Sequence, residues 1–194
     1  MADRREFLRY AMVSAVPLAT GLSLEAAAQS ALSPIRRIVI DARHVECLAF
    51  GASLAEEGAT IHALPDGDVT NLWLTVIQPL WARTPEPVAG LTRSPALFVL
   101  EQLAWPHGLR VVHHAEHAVS PVAPAIHEIH REGVVLTRGQ LDRLDTLWPE
   151  RVAESIANRR RPLAASRPGP TAAGLAPALP AGRELLTSWV IAPA

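Results

Sequence analysis

The segment Arg110–His117 reads RVVHHAEH and places three histidines and a glutamate within five positions, directly after two valines. Imidazole nitrogens and carboxylates bind transition metals such as zinc and iron, and both groups also act as general acids and bases. Two more histidines follow ten residues later, in the stretch HEIH. The candidate metal ligands are therefore His113, His114, His117, His127 and His130, and the candidate catalytic groups are Glu116 and His114.

The backbone conformation decides which of these histidines can act together. On a continuing strand, His113 and His117 point one way while His114 and Glu116 point the other, so at most two imidazoles of this segment share a face. On a helical turn, His113 and His117 share a face, as in His-Glu-x-x-His zinc helices, although here the glutamate stands next to the last histidine. Two interpretations stay open: a zinc or iron site, or polar residues where a strand ends.

A second stretch, Gly90–Pro95 (GLTRSP), combines a glycine, two hydroxyls and an arginine before an apolar helical pattern. Backbone N–H groups and the helix dipole favour an anion at such a place, so Thr92, Arg93 and Ser94 are candidate ligands of a carboxylate or phosphate. The alternative is that Thr92 or Ser94 simply caps the helix. The sequence contains no GxGxxG or GxxxxGK[ST] motif, so no nucleotide cofactor is predicted, and it contains no GxSxG elbow.

The elements around these residues alternate between strand and helix. The predicted strands are 36–41, 60–64, 87–91 and 109–113, and the predicted helices between them are 44–57, 69–81 and 95–105. Such alternation predicts a single Rossmann-like α/β domain with three layers, α/β/α, and a mainly parallel sheet of about four to five strands.

Ligands of open α/β sheets lie outside the carboxyl ends of the strands. The first strand end supplies Asp41, Arg43 and His44, which we expect beside Thr92, Arg93 and Ser94 of the third. Asp66 and Asp68 follow the second strand, and the histidines of RVVHHAEH follow the fourth.

The pattern weakens after His117. Residues 118–125 contain two prolines and are predicted to form a loop, and a helix kinked at Pro149 is predicted from Thr137 to about residue 161. Residues 161–183 are rich in Pro, Ala and Gly and are typical of an extended arm. Residues 184–194 are predicted to form a strand that docks on the sheet edge or on a partner, so a homodimer through the C-terminal arm is one expectation.

Composition excludes several functions. The formal net charge is −1, so neither nucleic acid nor a permanent membrane surface is an expected partner. All 18 basic residues are arginines, which excludes Schiff-base lysine chemistry. Cys47 is the only cysteine, so an internal disulfide cannot form, and its apolar helical setting indicates a buried packing residue.

The amino terminus carries a specific motif, DRREFLR at residues 3–9, followed by a moderately apolar stretch and small residues up to Ala28. This segment resembles a twin-arginine (Tat) export signal. A transmembrane anchor is the alternative, but Pro17 and Gly21 interrupt a stretch shorter than the ~20 residues of a span. The resemblance implies that residues 1–28 are a signal peptide, that 29–160 form the folded domain, and that the protein is periplasmic and meets the membrane only during export.

Twin-arginine substrates cross the membrane folded, often with a cofactor or a partner that requires it. The resemblance therefore implies a bound cofactor or a co-exported, cofactor-carrying partner protein, and the histidines indicate zinc or iron as the transition metal that such a cofactor would contain. We expect a periplasmic binding or accessory protein, associated with an exported redox system, that holds a small anionic molecule at the strand ends. The alternatives are a small metal-dependent hydrolase or oxidoreductase using the His113–His117 cluster, and a non-catalytic co-exported subunit.

Overall fold

The computed structural model describes residues 34–131, 136–158 and 181–193. The predicted signal peptide and almost all of the predicted Pro/Ala-rich arm lie outside these residues. The strands are β1 (Arg37–Asp41), β2 (Thr60–Leu64), β3 (Val88–Arg93), β4 (Leu109–Ser120), β5 (Ala123–Arg131) and β6 (Glu184–Pro193). The helices are α1 (Val45–Glu56), α2 (Thr70–Leu72, π-helical Trp73–Ile77 and Gln78–Arg83), α3 (Ser94–Ala104), α4 (Arg138–Leu141) and α5 (Trp148–Ala157), with short 3₁₀ turns at Trp105–His107 and Asp145–Leu147.

The protein is α/β, but its sheet differs from the mainly parallel sheet expected from the sequence. The six strands lie in the order β2-β1-β3-β6-β4-β5. Only the β1–β2 and β1–β3 pairs are parallel, whereas β6 runs antiparallel to both β3 and β4, and β5 runs antiparallel to β4. The sheet is therefore mixed, with a parallel half built from the first half of the chain and an antiparallel half.

The C-terminal strand β6 occupies a central position rather than the expected sheet edge. It pairs with β3 from Val88 opposite Ile191 to Arg93 opposite Leu186, and with β4 along its whole length. The Trp189 side chain is fully buried over Gly90, where any β-carbon would overlap the indole ring. Nearly all of β6 is buried, because a central strand has neighbours on both edges and on both faces.

Residues 109–131 form a long antiparallel hairpin, so the predicted strand end at His113 and loop at 118–125 are both wrong. β4 continues through the histidines to Ser120, and β5 returns after a two-residue turn at Pro121 and Val122. Buried or half-buried residues at positions 125, 127 and 129 alternate with exposed residues at positions 126, 128 and 130 along β5, which is the two-residue period of a half-buried strand. The prolines fit because they stand in the turn and at the start of an edge strand, where no ladder N–H is lost.

Helices cover both faces of the sheet, as the three-layer prediction requires. On one face, α1 and α5 pack over Ile38, Ile40 and Leu91, and on the other α2 and α3 pack over Val39 and Ile191. Each fully buried large apolar side chain contributes roughly 1.5–3 kcal/mol. Cys47 lies inside the first core and is fully buried, and burial raises the pKa of its thiol to about 12, so it is a packing residue.

The helix predicted from Thr137 begins there but is not continuous. Thr137 and Gln140 form a capping box at the start of α4. The chain then turns at Asp145, which has a left-handed backbone (φ 45°), and α5 starts at Trp148. Pro149 stands in the first turn of α5, where a proline is tolerated, so it starts a helix rather than kinking one. Within the described residues, no helix is both long enough and apolar enough to cross a membrane.

Candidate functional site at the strand carboxyl ends

Asp41 ends β1 and is fully buried at the point where the connections of β1 and β3 leave toward opposite sides of the sheet. Its carboxylate accepts two hydrogen bonds from the Arg43 side chain, at 2.8 Å from Nε and 2.6 Å from Nη2, and one from the Arg43 backbone N–H. Burial alone would raise the pKa of this carboxyl, but the Arg43 hydrogen bonds and charge outweigh burial and lower it. Asp41 is therefore a fixed anion.

Gly67 makes room for the Asp41–Arg43 pair. It lies in the turn after β2 with φ of 82°, a conformation that other residues rarely adopt. A β-carbon at this position would also overlap Nη2 of Arg43. The turn after β2 therefore packs directly against the Asp41–Arg43 pair at the end of β1.

His44 stands between two carboxylates at the beginning of α1. Its Nδ1 lies 3.2 Å from Oε2 of Glu184, and its Nε2 lies 3.9 Å from Oδ2 of Asp41. Glu184 is the first residue of β6, so the antiparallel return of the chain carries it to the carboxyl ends of the parallel strands. Sequence reasoning missed Glu184, because its position depends on the antiparallel insertion of β6.

The residues predicted at the third strand end lie close by but are partly engaged in the fold. The Thr92 hydroxyl accepts a hydrogen bond from Nε1 of Trp189 at 3.0 Å, and the Ser94 and Thr187 hydroxyls are 2.9 Å apart. α3 begins without a side-chain cap, so the capping alternative for Thr92 and Ser94 is wrong. Arg93 is exposed and leaves a guanidinium accessible at this end of the sheet.

The strand ends together carry both signs of charge. The Arg43 guanidinium, 40% exposed, is held by Asp41 and also lies in the field of Asp66 and Glu184, and these carboxylates raise its pKa. Asp68 is used differently, since its Oδ1 accepts hydrogen bonds from the backbone N–H and the hydroxyl of Thr70 at the start of α2. The charged side chains that reach this end of the sheet include Arg43, Arg93, Asp66 and Glu184.

The structure divides the five candidate histidines between two faces of the β4–β5 hairpin. Three of them, His113, His117 and His127, point inward and are at most 4% exposed. His114 and His130 lie on the outer face. The expected five-histidine set therefore does not converge on one point.

The three inward histidines form a hydrogen-bonded chain through Ser188. The Ser188 hydroxyl lies 3.1 Å from Nε2 of His113 and 2.8 Å from Nε2 of His117, and the Nδ1 atoms of His117 and His127 are 2.8 Å apart. Trp148 stacks on the His117 ring with centroids 4.2 Å apart. These side chains form a hydrogen-bonded polar part of the core.

Burial controls the protonation of this chain. Burial lowers the pKa of His127 to about 4 and that of His117 well below its ordinary value, and the neighbouring histidines lower the pKa of His117 further. Both rings are therefore neutral near pH 7, which allows one Nδ1–H to donate to the other Nδ1.

On the outer face, His114 and His130 lie beside Glu116, one of the two predicted catalytic groups, and Glu128, which sequence reasoning did not include, lies close to Glu116 and His130. The signal for Glu128 was available in principle, because residue 128 faces residue 116 once the hairpin register is known.

A comparison with protein-family models, curated proteins and solved structures finds no match to this chain.

Proposed function

We propose that this chain is a periplasmic binding or accessory protein, exported by the twin-arginine pathway alongside a redox system, that holds a small anionic molecule at the strand carboxyl ends. The observation that carries the proposal is the convergence of Asp41, Arg43, His44 and Glu184 at the crossover point of the sheet. In open α/β sheets, this is where ligands bind.

The charges at this end indicate what kind of small carboxylate-bearing molecule would fit. Arg43 and the exposed Arg93 would attract a carboxylate, whereas Asp66 and Glu184 would repel one and attract an ammonium group. A molecule with a carboxylate and an ammonium group, such as an α-amino acid, satisfies both. We therefore favour a small zwitterion over a simple anion such as acetate or phosphate.

The hydrogen bonds at the strand ends favour binding over nucleophilic catalysis. The Ser94 hydroxyl is paired with Thr187 rather than with a histidine, and His44 is paired with Glu184. A Ser-His-Asp arrangement from these residues would need the histidine in contact with the serine. The Cys47 thiol, with its raised pKa, is buried in the core.

Ligand-observed NMR on the mature protein would test the site with acetate, phosphate, ethylammonium and a mixture of amino acids as probes. We expect binding of one or more amino acids and a loss of that binding in Glu184→Gln. Glu56→Gln is the matched control, because Glu56 is exposed at the far end of α1. Binding of acetate as strong as that of every amino acid, or amino-acid binding that Glu184→Gln does not weaken, would refute the zwitterion proposal.

Export is tested separately with Arg4→Lys/Arg5→Lys, which keeps both charges but removes the arginine pair. We expect the wild-type chain in the periplasmic fraction and the variant in the cytoplasm. A variant that reaches the periplasm as efficiently as the wild type would contradict export by this pathway.

A further inference from the structure

The outer face of the β4–β5 hairpin presents four metal-binding side chains to solvent: His114, Glu116, Glu128 and His130. We propose that they bind one borderline divalent transition-metal ion of the zinc or iron type. This site lies on different strands from the strand-end site and does not depend on it.

The antiparallel register brings these groups together. Glu116 lies directly opposite Glu128, and the side chains of alternate residues 114 and 130 emerge on the same face. Oε2 of Glu116 is 3.0 Å from Nε2 of His130, and Oε1 of Glu116 is 4.0 Å from Nε2 of His114. One ligand atom from each of Glu116, Glu128 and His130 falls within 4.8 Å of the other two. Three donors are thus close enough to share an ion, and the His114 ring lies beside them, with its centroid 5.0 Å from that of His130.

The charges of this cluster favour a bound cation. Two carboxylates directly opposite each other on adjacent strands repel, which destabilises the hairpin. A divalent cation between Glu116 and Glu128 removes the repulsion and supplies a common partner. The two imidazoles add nitrogen donors at the same place, and imidazole nitrogen together with carboxylate oxygen suits a borderline divalent ion.

The outer face of the hairpin is accessible to solvent, and its strand β4 is paired with the buried central strand β6. The side chains of His114 and Glu116 are 20% and 21% exposed, and that of His130 is 37% exposed, so an ion can enter from solvent. Within the sheet, His114 is paired with Trp189 and Glu116 with Thr187 of the neighbouring central strand β6, and both partners are fully buried. Donors on two paired strands anchored to a buried third strand are held in place before the ion arrives.

The donor set also limits the kind of metal. Two imidazoles and two carboxylates suit zinc, iron or cobalt. Magnesium and calcium prefer an all-oxygen shell, and copper(I) prefers sulfur donors. Because all four donors come from one side, solvent retains access to the ion from the other side.

The test is calorimetric titration of the chelator-treated mature protein with Zn²⁺ and Co²⁺. We expect one ion per chain and, for Co²⁺, visible absorption that indicates nitrogen ligands. Glu116→Gln and His130→Ala remove donors and should each weaken Zn²⁺ binding by at least roughly tenfold, because even partners that only orient ligands are worth 10–100-fold. Circular dichroism melting checks that each variant remains folded.

His62→Gln is the matched control, since it removes a histidine from β2 at the opposite edge of the sheet. We expect its Zn²⁺ affinity to equal that of the wild type. The proposal is overturned by the absence of stoichiometric Zn²⁺ or Co²⁺ binding, or by binding that Glu116→Gln and His130→Ala leave unchanged while both variants stay folded. Amino-acid binding that Glu184→Gln leaves unchanged would refute the strand-end proposal without affecting this result, so the two proposals fail independently.

Discussion

The two faces of the β4–β5 hairpin use the same residue type in opposite ways. On the inner face, His113, His117 and His127 bond to Ser188 and to each other under Trp148, away from water. On the outer face, His114 and His130 meet carboxylates and solvent. The partners and the burial of a histidine, rather than its place in a histidine-rich motif, therefore decide whether it stabilises the core or is available to a ligand.

We expect the largest loss of stability when Trp148, which packs against His117 and His127, is removed. Trp148→Ala deletes a buried ring that stacks on His117 and contacts His127, and we expect it to lower the free energy of unfolding by about 3–5 kcal/mol. Urea denaturation of the mature protein measures the loss. Trp105→Ala is the control, because that indole is 51% exposed and should cost much less. Equal losses in the two variants would contradict a buried structural role for the inner face.

Acid should destabilise the inner face in a defined pH range. An unfolded chain protonates its histidines below about pH 6.5, whereas His127 in the folded protein resists protonation down to about pH 4. The unfolded state therefore binds more protons in this range, and the free energy of unfolding should fall as pH falls from about 6.5 to 4, by up to roughly 1.4 kcal/mol per pH unit for each such histidine. His117 extends the loss to lower pH.

The measurement is urea denaturation of the chelator-treated protein at a series of pH values. His127→Gln should reduce the pH dependence of the free energy of unfolding between pH 6 and 5 by about 1.4 kcal/mol per pH unit, which corresponds to about one bound proton. Asp41 does not interfere in this range, because its pKa lies below the ordinary value and its contribution is lost at lower pH. An unchanged slope in the variant would contradict a neutral, buried His127.

A smaller loss is expected when the hydroxyl that links the inner histidines is removed. Ser188→Ala takes away the partner of Nε2 of both His113 and His117, and we expect a cost of about 1–3 kcal/mol. Ser120→Ala on the exposed end of β4 is the control and should change the free energy of unfolding by less than about 0.5 kcal/mol. A Ser188→Ala protein as stable as the wild type would mean that the chain of hydrogen bonds contributes little.

The smallest expected change in stability is an increase, and it comes from a substitution on the outer face. In the metal-free protein, Glu128→Gln removes the repulsion between Glu128 and Glu116 and should raise the free energy of unfolding by up to about 1 kcal/mol. The same variant should lose most of the stabilisation that Zn²⁺ gives to the wild type. Thermal melts with chelator and with Zn²⁺ compare the two, and a destabilised metal-free variant would argue against the repulsion.

The parallel half of the sheet could be predicted from the sequence because its signals are local. Short β-branched runs alternate with helical patterns, and Gly58 and Gly108 adopt the positive φ angles that end helical segments. Asp41, Arg43 and His44 follow directly from this alternation. Their charged partner Glu184 does not, because it lies more than a hundred residues later and reaches the site only through the antiparallel insertion of β6.

The antiparallel half could be predicted only in part. A three-residue spacing such as that of His127 and His130 would place both rings on one face of a helix, but on β5 it places them on opposite sides of the sheet. On a continuing strand, the two-residue alternation in RVVHHAEH separates His113 and His117 from His114 and Glu116, but the sequence left a helical turn open and the strand was predicted to end at His113. What it could not supply was the pairing of Glu116 with Glu128, which depends on the hairpin register.

The most direct test of the difference between the two faces starts from chelator-treated mature protein. The imidazole ¹H–¹⁵N NMR spectrum is recorded while Zn²⁺ is added. We expect the ring signals of His114 and His130 to shift to metal-bound positions at one equivalent, while those of His113, His117 and His127 stay in place. Shifts of the inner rings, or no shift at His114 and His130, would contradict the account.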